Sequence, residues 1–132
     1  MGKTIAEKIQ CDVDQLPKIG YKISSAGIAA ATGMGASPEA IRYCGENGVD
    51  ISKHKSRMIN TEMVKKNDYI FVMSQNHLNS IIECCPEKAG KCVLLDPAGD
   101  ILDPIGGGIE AYKISGAAIK NAVNKKISEL II

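Results

Sequence analysis

The sequence contains no tryptophan, one phenylalanine and four tyrosines among its 132 residues. That is too few rings to build an aromatic stacking platform for single-stranded nucleic acid. It also lacks any run of like charge. The 16 basic and 15 acidic side chains nearly cancel, which excludes the basic arm of a nucleic-acid binder and the polybasic tether of a membrane-surface protein. Long apolar runs are missing too. Residues 69–73 are among the longest, far short of the ~20 residues that span a bilayer. The N-terminus, MGKTIAEKIQCDVDQLP, places charge in every turn and so has no apolar stretch of a secretory signal. These absences read as a cytoplasmic protein. The five cysteines are odd in number and are expected as reduced thiols rather than a disulfide framework.

A chain of this length with 45% hydrophobic residues buries one core, so residues 1–132 are read as a single domain. Ile5, Ile9, Val13 and Leu16 recur at helical spacing until Pro17 and Gly20 stop the pattern, which predicts an opening helix. Residues 21–25 (YKISS) are short, β-rich and closed by Ala26-Gly27, the pattern of a first strand. A Gly- and Ala-rich loop follows over 28–36. Ser37 before Pro38 predicts a capped helix running to about Asn47-Gly48. Asn60 or Thr61 caps a short helix that leads into a buried strand over 69–73. Ser74 caps a helix with Leu78, Ile81, Ile82 and Cys85 on one face, ended by Pro86. Residues 91–95 read as a third strand.

The loop DPAGDILDPIGGG (96–108) precedes a last helix with Tyr112, Gly116, Ile119, Val123, Ile127 and Leu130 in one stripe,. Strands and helices alternate, which predicts an α/β fold: three layers, a parallel sheet with helices on both faces, and chemistry at the carboxyl ends of the strands.

Three segments in order carry a resemblance: SSAG at 24–27, GVDISKHKSRMI at 48–59 leading to DYIFVM at 68–73, and DILDPIGGG at 100–108. Together they resemble the low-molecular-weight protein tyrosine phosphatases, from about Ala6 to the C-terminus. The resemblance implies a flavodoxin-like sheet in the family's 2-1-3-4 order. It also implies a phosphomonoester hydrolase that needs no cofactor or metal. In that family a Cys-x5-Arg loop after the first strand holds phosphate on backbone N–H groups, the cysteine attacks phosphorus and the arginine binds the equatorial oxygens. An aspartate followed by proline then acts as general acid and activates water. By position and by its Asp-Pro pair, that residue corresponds to Asp103. Ser25 and His54, the latter in the stretch His54-Lys55-Ser56-Arg57, correspond to residues that support the phosphate loop. The bland alternative for both is a polar group satisfied by nearby backbone.

The other half of the chemistry is expected to be absent. Six residues after Cys11, Cys44, Cys84, Cys85 and Cys92 stand Pro17, Asp50, Gly90, Lys91 and Ala98. No cysteine has the required arginine. The resemblance implies that the sequence begins inside the helix following the phosphate loop, with that loop and the first central strand missing. It is therefore expected to be a truncated pseudoenzyme, serving as an interaction module, or an active phosphatase whose start lies upstream. An arsenate reductase of the same fold is a further alternative, although Ser74 stands where those enzymes place a second cysteine. Ile105 and Gly106 replace the aromatics that sandwich phosphotyrosine in the family. Gly106-Gly107-Gly108 lacks the lysine of a phosphate-binding loop and reads as a flexible loop. Cys84-Cys85 lacks zinc-ligand spacing. Loss of a central strand leaves residues 21–25 and 69–73 with unpaired edges, which predicts either direct pairing of these two strands with shifted helices or, as the favoured outcome, a homo-oligomer or a protein partner joined through those edges.

Overall fold

The structure is a computed structural model and describes residues 1–131. Its helices are α1 (Gly2–Ile9), α2 (Leu16–Ile19), α3 (Pro38–Glu46), α4 (Thr61–Lys66), α5 (Gln75–Cys84) and α6 (Gly108–Leu130). Two strands, β1 (Ile70–Val72) and β2 (Cys92–Leu94), pair in parallel with Ile70 opposite Cys92 and Val72 opposite Leu94. A right-handed βαβ passage through α5 connects strands of this kind as a rule. Each element has a local cause. Ser37, Asn60 and Ser74 each accept a backbone N–H in the first turn of α3, α4 and α5, supplying a partner for donors the helix itself leaves open.

The alternation of the two strands sorts the core into two layers. Val72 and Cys92 are buried with Val64 of α4, Ile81 of α5 and Cys85, and Ile70 and Leu94 pack against them. On the opposite face Phe71 and Leu95 meet Ile5 and Ala6 of α1, Leu16 of α2, and Ala122, Val123 and Ile127 of α6. Helices therefore cover both faces of a small parallel sheet, as the alternation of elements predicts.

Three expectations are corrected. The opening helix is not continuous: α1 ends at Gln10, which is left-handed (φ 58°), and Val13–Gln15 is a 3-10 turn before α2. Val13 is consequently exposed, whereas Leu16 is buried. The first strand does not form. Residues 22–26 make no backbone–backbone hydrogen bond among the described residues, and only Gly27 engages a neighbour, bridging Met58 in parallel. A strand needs a ladder partner, and among the described residues β1 pairs with β2 alone. The stripe on α6 is also shifted: Ser115 and Ala122 are buried, while Leu130 is exposed.

The unpaired edge of β1 follows from its register. Ile70 N–H donates to the Lys91 carbonyl and Leu95 N–H donates to the Val72 carbonyl, so Ile70 and Val72 face β2. Phe71 then points its N–H and C=O to the other side, where no strand lies among the described residues,. No helix among the described residues is long and apolar enough to cross a membrane.

Candidate functional site

The loop carrying Asp103 is held at three points. Ile101 N–H donates to the carbonyl of Met73, just beyond the carboxyl end of β1, at 2.8 Å. The carboxylate of Asp100 accepts the N–H of Gln75, the first residue of α5, at 2.8 Å, where the positive end of a helix favours an anion. The hydroxyl of Ser115, buried on α6, donates to the carbonyl of Leu102 at 2.8 Å. Ile101 is itself buried in the core, so the backbone on the amino side of Asp103 is pinned to the sheet and to two helices.

Asp103 is exposed, and its carboxylate accepts the N–H of Ile105 at 3.0 Å. This turn around Pro104 orients the carboxyl group by its own backbone. Leu102 and Ile105 flank the pair and are 77% and 76% exposed, so the surface beside Asp103 is aliphatic. The glycine run after it forms a turn of positive φ. Gly106 and Gly108 take φ of 78° and 72°, a region that favours glycine. At Gly107 a β-carbon would meet the Ala111 side chain at 2.5 Å. The N–H of Gly107 already donates to the Pro104 carbonyl and is not free to receive an anion.

Ser25 and His54 sit on two segments that Ser56 and Arg57 tie together. Arg57 Nε donates to the carbonyl of Ser25 at 2.9 Å, and Arg57 and Ile59 bracket Gly27 through backbone bonds of 2.9 Å each. The Ser56 hydroxyl accepts the N–H of Met34 at 3.0 Å and donates to the carbonyl of Ala31. His54 is exposed, and its backbone N–H closes a turn onto Ile51. The contact to Ser25 is thus made through its carbonyl. Asp50 accepts the N–H of Ser52 at 2.9 Å, and hydrogen bonding by the Ser52 side chain and then by this N–H lowers its pKa.

Ser56, Asp100 and Ser115 were not singled out by the sequence. Each is a short polar residue whose partner lies at least 13 positions away, and no local spacing signals such a bond. Arg57 was legible only as part of the segment carrying His54. Among the described residues no cluster of His, Cys, Asp or Glu is arranged to hold a metal ion. The cysteines are free thiols: Cys85 and Cys92 are buried and Cys84 is exposed. Burial pushes the thiols of Cys44 and Cys92 up.

The comparisons agree with this architecture. A family model described as low molecular weight phosphotyrosine protein phosphatase matches residues 4–131. A protein-arginine-phosphatase from Geobacillus stearothermophilus is 31% identical over 121 residues, covering 88% of this chain and 80% of the relative. The Escherichia coli phosphatase Wzb is 34% identical over 86 residues, 63% of this chain and 58% of the relative. Among solved structures, Vibrio vulnificus Wzb in complex with benzylphosphonate superposes with a TM-score of 0.80 at 28% identity, covering 97% of this chain and 87% of that one. The YwlE arginine phosphatase from Geobacillus stearothermophilus gives 0.80 at 27% identity, covering 98% and 82%. With nearly its whole length matched by the family model and its fold shared with these phosphatases, the chain belongs to the low molecular weight phosphotyrosine protein phosphatase family.

Proposed function

We propose that these 132 residues carry the acid half of a phosphomonoester hydrolase site, with Asp103 as general acid, and do not hydrolyse phosphate esters by themselves. The observation that carries this reading is that none of the five cysteines has an arginine six residues later. Without a cysteine seated in such a loop there is no activated nucleophile, and without the arginine and its loop no donors surround the phosphoryl oxygens. Ser25 and His54 belong to the supporting rim of the site in this reading. The anchored loop around Asp103 and its oriented carboxylate support the acid assignment. The test is hydrolysis of p-nitrophenyl phosphate by protein confirmed to begin at Met1. No turnover above a buffer blank is expected. Turnover that disappears in Asp103→Asn would overturn the proposal.

A second reading is favoured by the same anchored loop and by relatives named as protein-tyrosine- or protein-arginine-phosphatases. A longer chain supplying a strand and a Cys-x5-Arg loop would be an active enzyme dependent on Asp103. The aliphatic Ile105 beside the acid offers no ring to stack on phosphotyrosine, so phosphoarginine is a substrate class to assay beside it. Activity of such a chain that ignored Asp103→Ala would remove the acid assignment.

A further inference from the structure

We propose that the loop carrying Lys53, Lys55 and Arg57 is a docking surface for an acidic segment of a protein partner. This goes beyond the catalytic reading and does not depend on turnover. Three fixed cations and His54 fall within five residues, and the nearest acid along the chain is Asp50, whose carboxylate is engaged with the Ser52 N–H. None of the three cations forms an ion pair among the described residues, whereas Arg42, Lys66, Lys113 and Lys126 each pair with a glutamate on their own helix.

What lies against the loop matters as much. Its tertiary neighbours are in the segment 25–35: Gly27 bridges Met58, and Gly35 bridges Lys55. Residues 23–38 contain no charged side chain at all, so nothing from that side offsets the positive field. The loop is also preorganised. Ser56 is bonded through its backbone and its hydroxyl to Met34, and Arg57 Nε is tied to Ser25. A fixed loop loses little conformational entropy on binding. Met34 and Met58 stand 61% and 50% exposed beside the cations, and methionine adapts to varied apolar partners. The occupant that fits is therefore an acidic peptide segment carrying an apolar side chain. A lipid surface is the weaker match, because three cations fall below the clusters of about 4–8 that hold anionic headgroups.

The experiment is binding of a labelled Glu-rich peptide with a single Leu to the 132-residue chain, followed by fluorescence anisotropy. The acidic peptide should bind, a Lys-rich counterpart should not, and affinity should fall as ionic strength rises from about 0.05 M to about 0.5 M. Lys53→Glu/Lys55→Glu should weaken binding by about tenfold or more, and Lys53→Gln/Lys55→Gln by less. Lys120→Glu/Lys125→Glu on α6 removes the same charge elsewhere and should leave affinity nearly unchanged. Equal losses in the two Glu pairs would reduce the effect to net charge and overturn the assignment. So would binding to phosphatidylserine vesicles with no binding of the acidic peptide.

Discussion

The ring of Tyr43 on α3 lies directly over the backbone of Gly116 on α6, so that a β-carbon added at Gly116 would meet Cζ of the ring at 2.5 Å. This close approach is where α3 is seated on the C-terminal helix. In an open helix position Gly→Ala gains up to about 1 kcal/mol from propensity. Overpacking against a ring costs about 1–3 kcal/mol. The sign of the change therefore reports the contact.

Gly116→Ala is expected to destabilise the chain by about 1–2 kcal/mol in urea unfolding. In a Tyr43→Ala background the same change should be neutral or stabilising, giving a non-additive cycle. Additive losses would mean that ring and glycine do not touch.

Ser115→Ala removes the hydroxyl that holds the Leu102 carbonyl and should cost about 1 kcal/mol of stability. The local effect should be larger than the global one. Amide exchange at Ile105, whose N–H bonds Asp103, should accelerate beyond what the global loss explains. Unchanged exchange there would show that Ser115 does not position the loop carrying Asp103.

The elements that local chemistry dictates were legible in the sequence. Ser37, Asn60 and Ser74 each announce a helix by the N–H their side chain accepts, and all three caps form. The unbroken apolar run at 69–73 likewise announces a buried strand, which forms over Ile70–Val72,. Residues 21–25 carry the pattern of a strand but do not form one, because a strand is a relation between segments and the apolar pattern of Tyr21 and Ile23 says nothing about whether a neighbour is present. The break at Gln10 escaped for a similar reason. The spacing of Val13 and Leu16 continues a helical register, while the backbone between them and Ile9 reverses in one left-handed residue. Around the candidate site, the Asp-Pro turn at Asp103 is legible from its residue types, whereas Asp100 and Ser115 act across the fold.

The thiols offer a chemical check. Exposed Cys84 should react first with Ellman's reagent, while Cys85 and Cys92 stay protected until unfolding,. Burial raises the Cys92 pKa, so the native state holds this proton at a pH where the unfolded chain releases it. That contribution to stability is fully present below the ordinary thiol value of about 8.5 and is lost as pH climbs through the folded value. Cys92→Ala should flatten the decline of stability above pH ~8.5. A decline of the same steepness in the variant would assign it to other groups.

The last expectation concerns the open side of β1. Phe71 presents an N–H and a C=O to a side with no strand, and residues 22–26 make no ladder of their own. Residues 22–26 are exposed and Phe71 is half-buried, so water can satisfy these groups in the single chain, and the open edge acts as a template for another strand. Open edges recruit strands, and a second copy of the chain is always available in a pure sample. Self-association at micromolar concentration is therefore expected in sedimentation, with slowed amide exchange at residue 71 as concentration rises. Ser24→Pro provides the control, because the Ser24 N–H has no backbone partner in the single chain while proline cannot donate to a new ladder. The variant should keep its helical circular dichroism and dissociate more readily. A monodisperse monomer with strong protection across residues 21–25 and 69–73 would refute self-association. Fast exchange in both segments at every concentration would mean that these edges stay open and that no copy of the chain fills them.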